Sequence, residues 1–447
     1  MIHILIRYLG IKTKLLDSIK LAVDNVTPTD AAIVDIFAGS NIVGQSLMQD
    51  YTILTNDCQI YSTIAAKALI EHHDKEIIKK IKAENIFNSD YTKNKSALEE
   101  IFSEPLGYEA YLLEKIGDNY VGQAFKEFEL FFNTSPYIGV TAGTHSSFKN
   151  SLSFFEKEEV DKHRANPKLF PYNLFTTYYN NPYFSLRQCV EIDSIRYSLD
   201  KSLEKELISQ EEWEIYLSFL IYALHLTVIS VGDHFAQPQK IKPVSTNMGN
   251  ERDRVNLRER KKIITKKRTS ICKLFTDKLN EYTMNYKAGH INNKAFNYEF
   301  KDFFKKVNFK KYNIKTIYID PPYTNAHYSR FYHIPETLVL YDYPEIEFSG
   351  RYRTDRFQSG FCIKTQAYKE FDELLKLCKE NAVNAIISYS NTAQCILTIN
   401  DINTLCQKHY GQNVLFQNVD HMYRNFGQKP NKVLAKEYII TCSIQEA

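Results

Sequence analysis

The chain of 447 residues lacks the sequence features of disulfide-rich, zinc-binding and membrane-spanning proteins. Its eight cysteines form no CxxC pair, and no histidine cluster stands at the spacing of zinc ligands. No stretch approaches 18 uncharged apolar residues, and the apolar run at residues 2–6 is far too short for a signal peptide. We therefore expect reduced, mostly buried thiols in a cytoplasmic enzyme or binding protein, with no metal and no membrane span.

The sequence also lacks a large excess of charge, internal repeats and low-complexity linkers. Its 56 lysines and arginines against 53 acidic residues give a net charge of +3, which indicates no partner unless the positive charge is clustered. With 44% hydrophobic and 24% charged residues, the composition is typical of globular proteins and excludes general disorder. The length favours about two or three domains.

Both ends of the chain show alternating strand and helix patterns. Apolar runs at residues 31–37 and 51–55 predict strands, and helical spacing follows at 42–48 and 60–72. The pattern resumes with a strand at 314–319, a helix at 368–379, a strand at 383–389 and apolar runs near 414 and at 434–442. Such βαβ alternation predicts an α/β fold, a parallel sheet that binds ligands at the carboxyl ends of its strands.

The middle of the chain has a different character. Residues 75–310 are polar and aromatic with few clear strands, and residues 213–230 form an apolar run that predicts a buried helix. We expect one catalytic fold, made of residues 1–75 and 295–447, to be interrupted by a mostly helical insertion at residues 75–295.

A rigid corner follows the predicted strand at 314–319. It consists of Asp320, Pro321, Pro322 and Tyr323. The prolines fix φ near about −65° and push Asp320 into an extended conformation. The Asp320 carboxylate and the Pro322 carbonyl can each accept one N–H bond, while Tyr323 stacks on a ring, which suits a planar substrate with an NH₂ group. The alternative is an ordinary turn that ends the strand.

A glycine-containing turn follows the first predicted strand, at residues 35–44 (DIFAGSNIVG). Gly39 lets the backbone approach a ligand, and the absence of a following GKS or GKT disfavours a phosphate loop. Asp57 stands at the end of the next predicted strand, 22 positions after Asp35. Acidic residues at this place hydrogen-bond ribose hydroxyls in doubly wound folds. The alternatives are a tight turn without a ligand and a helix N-cap.

Four motifs in one order resemble those of the Dam-like DNA adenine-N6 methyltransferases of restriction-modification systems. They are RYLGIKTKLL at residues 7–16, DIFAGSNIVG at 35–44, NDCQ at 56–59 and DPPY at 320–323. The resemblance covers roughly residues 1–75 and 295–447. It implies a Rossmann-like methyltransferase sheet that uses S-adenosylmethionine and requires no metal.

The resemblance also implies roles for individual residues. Asp57 would hold the cofactor ribose, Lys12 would meet the methionine carboxylate, and residues 298–303 (YEFKDF) would form a third cofactor strand beside the adenine. The implied cofactor-binding residues are Tyr8, Gly10, Lys12, Asp35, Phe37, Gly39, Asp57, Cys58, Asp302, Phe303 and Asp320. The implied catalytic residues are Asp320, Pro321, Pro322 and Tyr323. Asn41 replaces a second glycine, and since Asn tolerates positive φ, we expect the turn to be retained.

Positive charge is concentrated at residues 251–268, where nine basic and three acidic residues give a local charge of +6. Phosphates attract such clusters through counterion release. We expect DNA contacts from this stretch, and from His333, Arg353 and Arg356 near a flipped base or its phosphates. The expected DNA-binding residues of the stretch are Arg252, Arg254, Arg258, Arg260, Lys261 and Lys262. The alternative is a solvated helix face. In the family, the target-recognition region occupies the place of the insertion at 75–295.

Together these expectations predict methylation of adenine N6 in a specific double-stranded DNA sequence. The adenine would be flipped out of the duplex, because its amine cannot be reached inside the stack. We expect a monomeric modification enzyme whose cognate restriction endonuclease acts separately. Two alternatives stay open: an RNA adenine-N6 methyltransferase, since the corner reads an amine and not a sugar, and an inactive methyltransferase-like DNA-binding module.

Overall fold

The computed structural model describes residues 2–6, 12–244, 251–423 and 433–444. Its described residues separate into two compact units. The first unit takes in residues 1–78, 285–331 and 356–447, and the second takes in residues 79–284 and 332–355. The second unit therefore contains most of the predicted insertion, together with a later segment that the sequence pattern assigns to the catalytic fold. Tyr8 and Gly10 lie outside the described residues.

The strands of the described residues are β1 (Ala32–Asp35), β2 (Thr52–Asn56), β3 (Lys294–Phe296), β4 (Ile314–Ile319), β5 (Ile346–Glu347), β6 (Tyr352–Arg353), β7 (Asn384–Asn391), β8 (Val414–Tyr423) and β9 (Val433–Cys442).

The α-helices of the described residues are α1 (Leu16–Asp24), α2 (Ile42–Leu47), α3 (Ile60–Leu69), α4 (Lys75–Lys80), α5 (Ser89–Ile101), α6 (Ser103–Ile116), α7 (Gln123–Asn133), α8 (Lys157–Ala165), α9 (Leu174–Tyr178), α10 (Leu186–Glu204), α11 (Gln210–Thr227), α12 (Glu251–Arg268), α13 (Ile271–Asn285), α14 (Phe300–Lys306), α15 (Tyr328–Phe331), α16 (His333–Leu340), α17 (Ala367–Glu380) and α18 (Ile399–Tyr410). Short 3₁₀ turns lie at Ala83–Asn85, Ser146–Phe155, Val231–Asp233 and Gly360–Cys362.

The first unit is built on a seven-stranded sheet with the strand order β3-β2-β1-β4-β7-β9-β8. Strands β3, β2, β1, β4 and β7 are parallel, and β9 runs antiparallel to both β7 and β8. All four residues of β1 are buried, as expected for a strand inside a sheet that is covered on both faces. The predicted α/β class with a parallel sheet is confirmed.

The register brings three strand ends together at one edge of this sheet. Asp35, the last residue of β1, is paired with Thr55 of β2 on one side and with Tyr318 of β4 on the other. From β1 the chain continues to β2 and β3 on one side of the sheet. It then crosses to β4 on the other side of β1, so the β1–β4 boundary is a topological switch point. Ligands of open α/β sheets bind in the crevice outside such a point.

The third cofactor strand lies earlier in the chain than the sequence pattern predicts. Strand β3 is Lys294–Phe296, whereas residues 298–299 have no regular secondary structure and residues 300–303 begin α14. The Glu299 carboxylate accepts the Lys301 N–H and so caps this helix. Phe300, Phe303 and Phe304 then share its buried face at helical spacing. The predicted strand at 298–303 is therefore wrong.

Helices α14, α17 and α18 bury aromatic and aliphatic side chains in the core of the first unit. In α17, Phe371, Leu374, Leu375 and Cys378 follow the i, i+3, i+4, i+7 pattern of one buried face. They belong to the same hydrophobic cluster as the inward residues of β1, β4 and β7. This packing holds the central strands in place, and with them the loops at their carboxyl ends.

The second unit is mostly helical. Its α11 confirms the predicted buried apolar helix, and both α10 and α11 begin with a capping box, formed by Ser185 and by Ser209. An aromatic cluster fills the interior of this unit, with Phe102, Phe125 and Phe131 fully buried. Both tertiary packing and local capping thus stabilise these helices.

One buried carboxylate ties residues 332–355 to the rest of the second unit. Asp193 of α10 accepts hydrogen bonds from the Tyr341 hydroxyl at 2.6 Å, from the Thr176 hydroxyl at 2.7 Å, and from the N–H groups of Phe175 and Thr176 at 2.9 Å. Burial raises the pKa of Asp193 to about 7, although these four donors lower it. The Tyr341 hydroxyl thus links this segment to the second unit through a buried acceptor.

The cysteines form no disulfide bond in this structure. All eight cysteines are free thiols, and five of them are buried. Within the described ranges, no helix is both long enough and apolar enough to cross a membrane.

Asp193→Ala should destabilise the second unit by about 3 kcal/mol, because two backbone N–H groups and two hydroxyls lose their buried acceptor. Trp213, the single tryptophan of the chain, lies in α11 and reports on this unit. Urea unfolding followed by its fluorescence measures the loss. Asp277→Ala is the control, since Asp277 is exposed and pairs with Lys273 on α13. Equal midpoints for the two variants would contradict the structural role of Asp193.

Candidate active site

A cavity lies at the carboxyl ends of β1, β2 and β4 in the first unit. Phe37 follows β1, Asp57 follows β2, and Asp320 and Pro322 follow β4, and all four line this cavity. Cys58, predicted beside Asp57, lines it as well. Residues distant in the sequence thus meet because their strands are parallel neighbours.

Asp57 closes the glycine turn. Its Oδ2 accepts the Gly39 N–H at 2.9 Å, and its Oδ1 accepts the Gln59 N–H at 2.9 Å, just before α3 begins. Gly39 has a φ of +47°, which favours glycine, and its carbonyl accepts the Ser62 hydroxyl at 2.8 Å. Burial raises the pKa of Asp57, and the two backbone N–H groups lower it. Side-chain hydrogen bonds from Ser62 and Cys58 lower the pKa of Asp57 as well.

Asn41 keeps the turn in the form that a second glycine would allow. Its backbone is left-handed, with a φ of +61°, and its Nδ2 donates to the Ser62 carbonyl at 3.0 Å. The prediction that asparagine preserves this turn is confirmed.

Asp35 lies at the end of β1 and is almost completely buried. Burial raises its pKa well above the usual range, and the nearby carboxylates of Asp320 and Asp57 raise it further. Its Oδ1 has no hydrogen-bond partner among the described residues. Asp35 is not part of the cavity lining, so the structure places it close to the other two carboxylates but not at the cavity surface.

Three phenylalanines form an aromatic wall of the cavity. The ring of Phe37 lies 6.2 Å from that of Phe300 and 5.3 Å from that of Phe361, and these last two rings are 5.5 Å apart. Such a wall can contact the face of a planar ring system. Tyr298 and Glu299 line the cavity beside it.

The prediction of Asp302 and Phe303 as adenine neighbours requires correction. Phe303 is fully buried in the core, and Asp302 is half exposed and pairs with Lys306 of its own helix at 3.4 Å. Neither lines the cavity, whereas Glu299 and Phe300, one turn earlier, do. The sequence contains two pairs of an acidic and an aromatic residue, Glu299–Phe300 and Asp302–Phe303. Because α14 begins at Phe300, the first pair faces the cavity.

The corner after β4 holds a buried ion pair. Lys12 Nζ lies 3.1 Å from Asp320 Oδ1, with only 4% of the lysine side chain exposed. Burial raises the pKa of Asp320 to about 6, Lys12 lowers it, and the charge of Glu437 raises it. The resemblance implied that Lys12 contacts the cofactor, but the structure pairs it with the candidate catalytic carboxylate.

The other residues of the corner differ in their exposure. Pro322 lines the cavity, whereas Pro321 is buried and absent from the cavity lining. The Tyr323 ring is buried, lies 5.6 Å from the Tyr389 ring, and has the Lys12 ammonium 5.2 Å from its centroid. Asp320 and Pro322 are therefore the corner residues that the cavity presents to a ligand.

Another part of the cavity lining was not predicted from the sequence. His327, Tyr328, Ser329 and Phe357 line it, and the Ser329 hydroxyl donates to the Phe357 carbonyl. Burial lowers the pKa of His327, and the charge of Arg356 lowers it further, which places Arg356 near this part of the lining. The aromatic and polar residues that follow the corner in the sequence could have indicated this part of the cavity. The sequence does not show which of their side chains face it.

The basic helix α12 has two different faces. Arg252, Arg254, Arg258 and Lys261 are exposed. Arg260 is buried: its guanidinium donates to the carbonyl oxygens of residues 120 and 242 and lies over a buried phenylalanine ring. The sequence cannot distinguish these faces, because all of the residues carry the same charge.

Three predicted DNA contacts are engaged within the protein. Arg260 binds backbone carbonyls, and Lys262 pairs with Asp233 at 2.8 Å. Arg353 has 4% of its side chain exposed and pairs with Asp342 at 2.6 Å and with Asp355 at 2.9 Å. These contacts hold the side chains within the second unit, although Lys262 keeps 41% of its side chain exposed, and their role as phosphate ligands stays a prediction.

His333 is likewise internal to the second unit. Its side chain is fully buried, and its Nε2 hydrogen-bonds with the Phe235 carbonyl at 3.0 Å. It therefore supports the loop that follows α11 and is not presented to a nucleic acid.

Comparison with known proteins connects this geometry to one family. The family model for D12 class N6 adenine-specific DNA methyltransferases matches residues 8–115 and 257–405, more than half of the chain. The match includes the glycine turn, Asp57 and the corner at 320–323.

Curated relatives are similar over most of the chain. It is 26% identical over 406 residues to the type II methyltransferase M.FokI of Planomicrobium okeanokoites, covering 90% of this chain and 47% of that protein. It is 22% identical over 402 residues to the modification methylase LlaI of Lactococcus lactis subsp. lactis, covering 90% of this chain and 48% of that protein. The modification methylase StsI of Streptococcus sanguinis is 22% identical over 387 residues, with 86% and 44% covered.

The chain spans about half the length of these curated relatives. Its family follows from the match of the family model over more than half of its residues, together with the sheet order and the cavity at the strand ends. The chain belongs to the D12 class of N6 adenine-specific DNA methyltransferases.

Proposed function

We propose that this chain transfers a methyl group from S-adenosylmethionine to N6 of an adenine in double-stranded DNA. The observation that carries this proposal is the shared cavity: Asp57 and the aromatic wall line it together with Asp320 and Pro322. A methyl donor bound beside Asp57 and the aromatic wall can then reach an amine held by Asp320 and Pro322.

The cavity fits the adenosyl part of the cofactor. Phe37, Phe300 and Phe361 offer ring faces to an adenine, and Glu299 offers an acceptor beside them. Backbone N–H groups hold the Asp57 carboxylate at the end of β2, where acidic residues of doubly wound folds hydrogen-bond the ribose. The sulfonium of the bound cofactor supplies an activated methyl group.

Asp320 and Pro322 position the target amine. The carboxylate accepts one N–H of the amine and the Pro322 carbonyl accepts the other, so both hydrogens are held and the lone pair of nitrogen points away from them. Adenine N6 is weakly nucleophilic because its lone pair is delocalised into the ring, and these hydrogen bonds favour a more tetrahedral nitrogen. As the N–C bond forms and the C–S bond breaks, one N6 proton is released to solvent, so Asp320 serves as an acceptor that stabilises the developing charge.

The exposed face of α12 would bind the DNA backbone. Arg252, Arg254, Arg258 and Lys261 place four positive charges on solvent-facing positions of one helix. Phosphate contacts from such residues orient the duplex without reading its sequence. In this proposal, the second unit contains the target-recognition region, and the target adenine is flipped out of the duplex before transfer.

The biological setting is proposed from the relatives. Those proteins carry the names type II methyltransferase and modification methylase. We propose that this chain is likewise a modification enzyme, acting as a monomer in the cytoplasm beside a restriction endonuclease that works separately.

Asp320→Ala should reduce methyl transfer to duplex DNA by about 100-fold or more, since the developing charge on N6 loses its acceptor. Transfer of labelled methyl from S-adenosylmethionine, followed by nucleoside analysis of the product, measures both rate and position. Asp302→Ala is the matched control, because this carboxylate pairs with a lysine of its own helix and lies away from the cavity.

The same assay separates the alternatives. Faster transfer to RNA of the same sequence would favour the RNA methyltransferase. A wild-type chain that binds duplex DNA but transfers no methyl group would favour the inactive DNA-binding module.

Replacing Arg252, Arg254, Arg258 and Lys261 with glutamine should weaken DNA binding and make the negative slope of log affinity against log salt shallower by about 3.6. Fluorescence anisotropy of a labelled duplex, measured between about 50 and 200 mM salt, gives this slope. Lys273→Gln, on the exposed face of α13, controls for the loss of an unrelated charge. A slope that does not change would show that this face of α12 does not bind phosphates.

A further inference from the structure

A lysine is buried against the carboxylate on which the proposed reaction depends. Lys12 Nζ lies 3.1 Å from Asp320 Oδ1, and the lysine side chain is 4% exposed. The ammonium also lies 5.2 Å from the centroid of the Tyr323 ring. An ammonium is removed from water at a large cost unless it is paired, so this lysine is held by the negative charges around it.

A second buried carboxylate belongs to the same site. Glu437 of β9 is 1% exposed and pairs in register with Ser390 of β7. Its charge acts on Asp320. Among the described residues, its Oε2 has no hydrogen-bond partner. Asp320 is therefore paired with one buried ammonium and feels the charge of one buried carboxylate.

We propose that Lys12 is a positioning residue that keeps Asp320 ionised and oriented for the target amine, and that Glu437 opposes it from β9. This inference rests on the proposed function, because it assigns a task to Asp320 in adenine methylation. It differs from the role that the family resemblance implies for Lys12, which is contact with the cofactor.

The groups that act on Asp320 come from several elements. Lys12 precedes α1, Asp35 ends β1, Tyr318 lies in β4, and Glu437 lies in β9. Cys395, after β7, faces Lys12 and Glu437. Lys12 is the cation in this set, and burial raises the pKa values of Asp35, Tyr318 and Cys395.

The sign of each effect follows from the charges. Burial raises the pKa of Asp320 to about 6, Lys12 lowers it, and Glu437 raises it. Removing the ammonium therefore raises this pKa further, so the carboxylate becomes protonated at a higher pH. Removing the Glu437 charge lowers it. A protonated Asp320 cannot present both oxygens as acceptors.

Orientation is the second part of the task. An ammonium at Oδ1 fixes one carboxylate oxygen, and the other oxygen remains to accept the N–H of the amine. The corner at 320–323 and the lysine thus both restrain the carboxylate, which reduces the rotational freedom that substrate binding must remove.

The test is the pH dependence of the single-turnover methyl-transfer rate, at saturating duplex DNA and S-adenosylmethionine. The wild-type rate should fall below about pH 6, following Asp320. Lys12→Met should move this acidic limb to higher pH by about one unit, which lowers the rate at pH 7 by about twofold. Glu437→Gln should move the limb to lower pH, and Lys12→Arg should restore the wild-type limb.

Three results would overturn the inference. A Lys12→Met limb at the wild-type pH, with the rate lowered equally at every pH, would indicate a structural role. An unmoved limb with a raised KM for S-adenosylmethionine would assign Lys12 to the cofactor. Tighter binding of duplex DNA by Lys12→Met would indicate that the lysine occupies the place of the target amine.

The opposite shift in Glu437→Gln keeps the inference testable if Lys12→Met fails to fold. A limb that moves upward or stays fixed in Glu437→Gln contradicts it. Failure of the proposed function looks different, since the wild-type chain would then transfer no methyl group to adenine, or Asp320→Ala would remain fully active. If the wild-type enzyme is active but neither variant moves the acidic limb, only the proposed roles of Lys12 and Glu437 are contradicted.

Discussion

The parallel pairing of β1 with both β2 and β4 is the constraint on which the site depends. Because Asp35 is in register with Thr55 on one side and with Tyr318 on the other, the residues after all three strands reach the same edge. A carboxylate that can hold a ribose and a carboxylate that can hold an amine then line one cavity, although more than two hundred residues separate them in the chain. Each strand supplies one part, and the sheet assembles them.

Several features were predictable because their causes are local. The strand at 314–319 is rich in apolar residues and matches β4, and the left-handed Asn41 follows from the few residue types that tolerate positive φ. The third strand was not predictable in the same way, since β3 has three residues that are exposed or half buried and carries almost no apolar signal. The aromatic run that suggested a strand belongs to the buried face of a helix.

Other features depend on contacts between distant residues and leave no pattern in the sequence. Charge counting at residues 251–268 cannot show that Arg260 turns inward, while its neighbour Lys261 stays exposed. The place of residues 332–355 in the second unit depends on Asp193, a carboxylate more than a hundred residues earlier. The pairing of Lys12 with Asp320 is of the same kind: the motifs indicated both residues but not their contact.

A crystal structure of the chain with a non-reactive analogue of S-adenosylmethionine tests the shared cavity most directly. The cavity geometry predicts that the ribose hydroxyls lie within hydrogen-bond distance of Asp57, that the adenine lies against Phe37 and Phe300, and that the methionyl end points toward Asp320. An analogue bound away from this cavity, or one whose ribose makes no contact with Asp57, would contradict the meeting of cofactor and target amine at these strand ends.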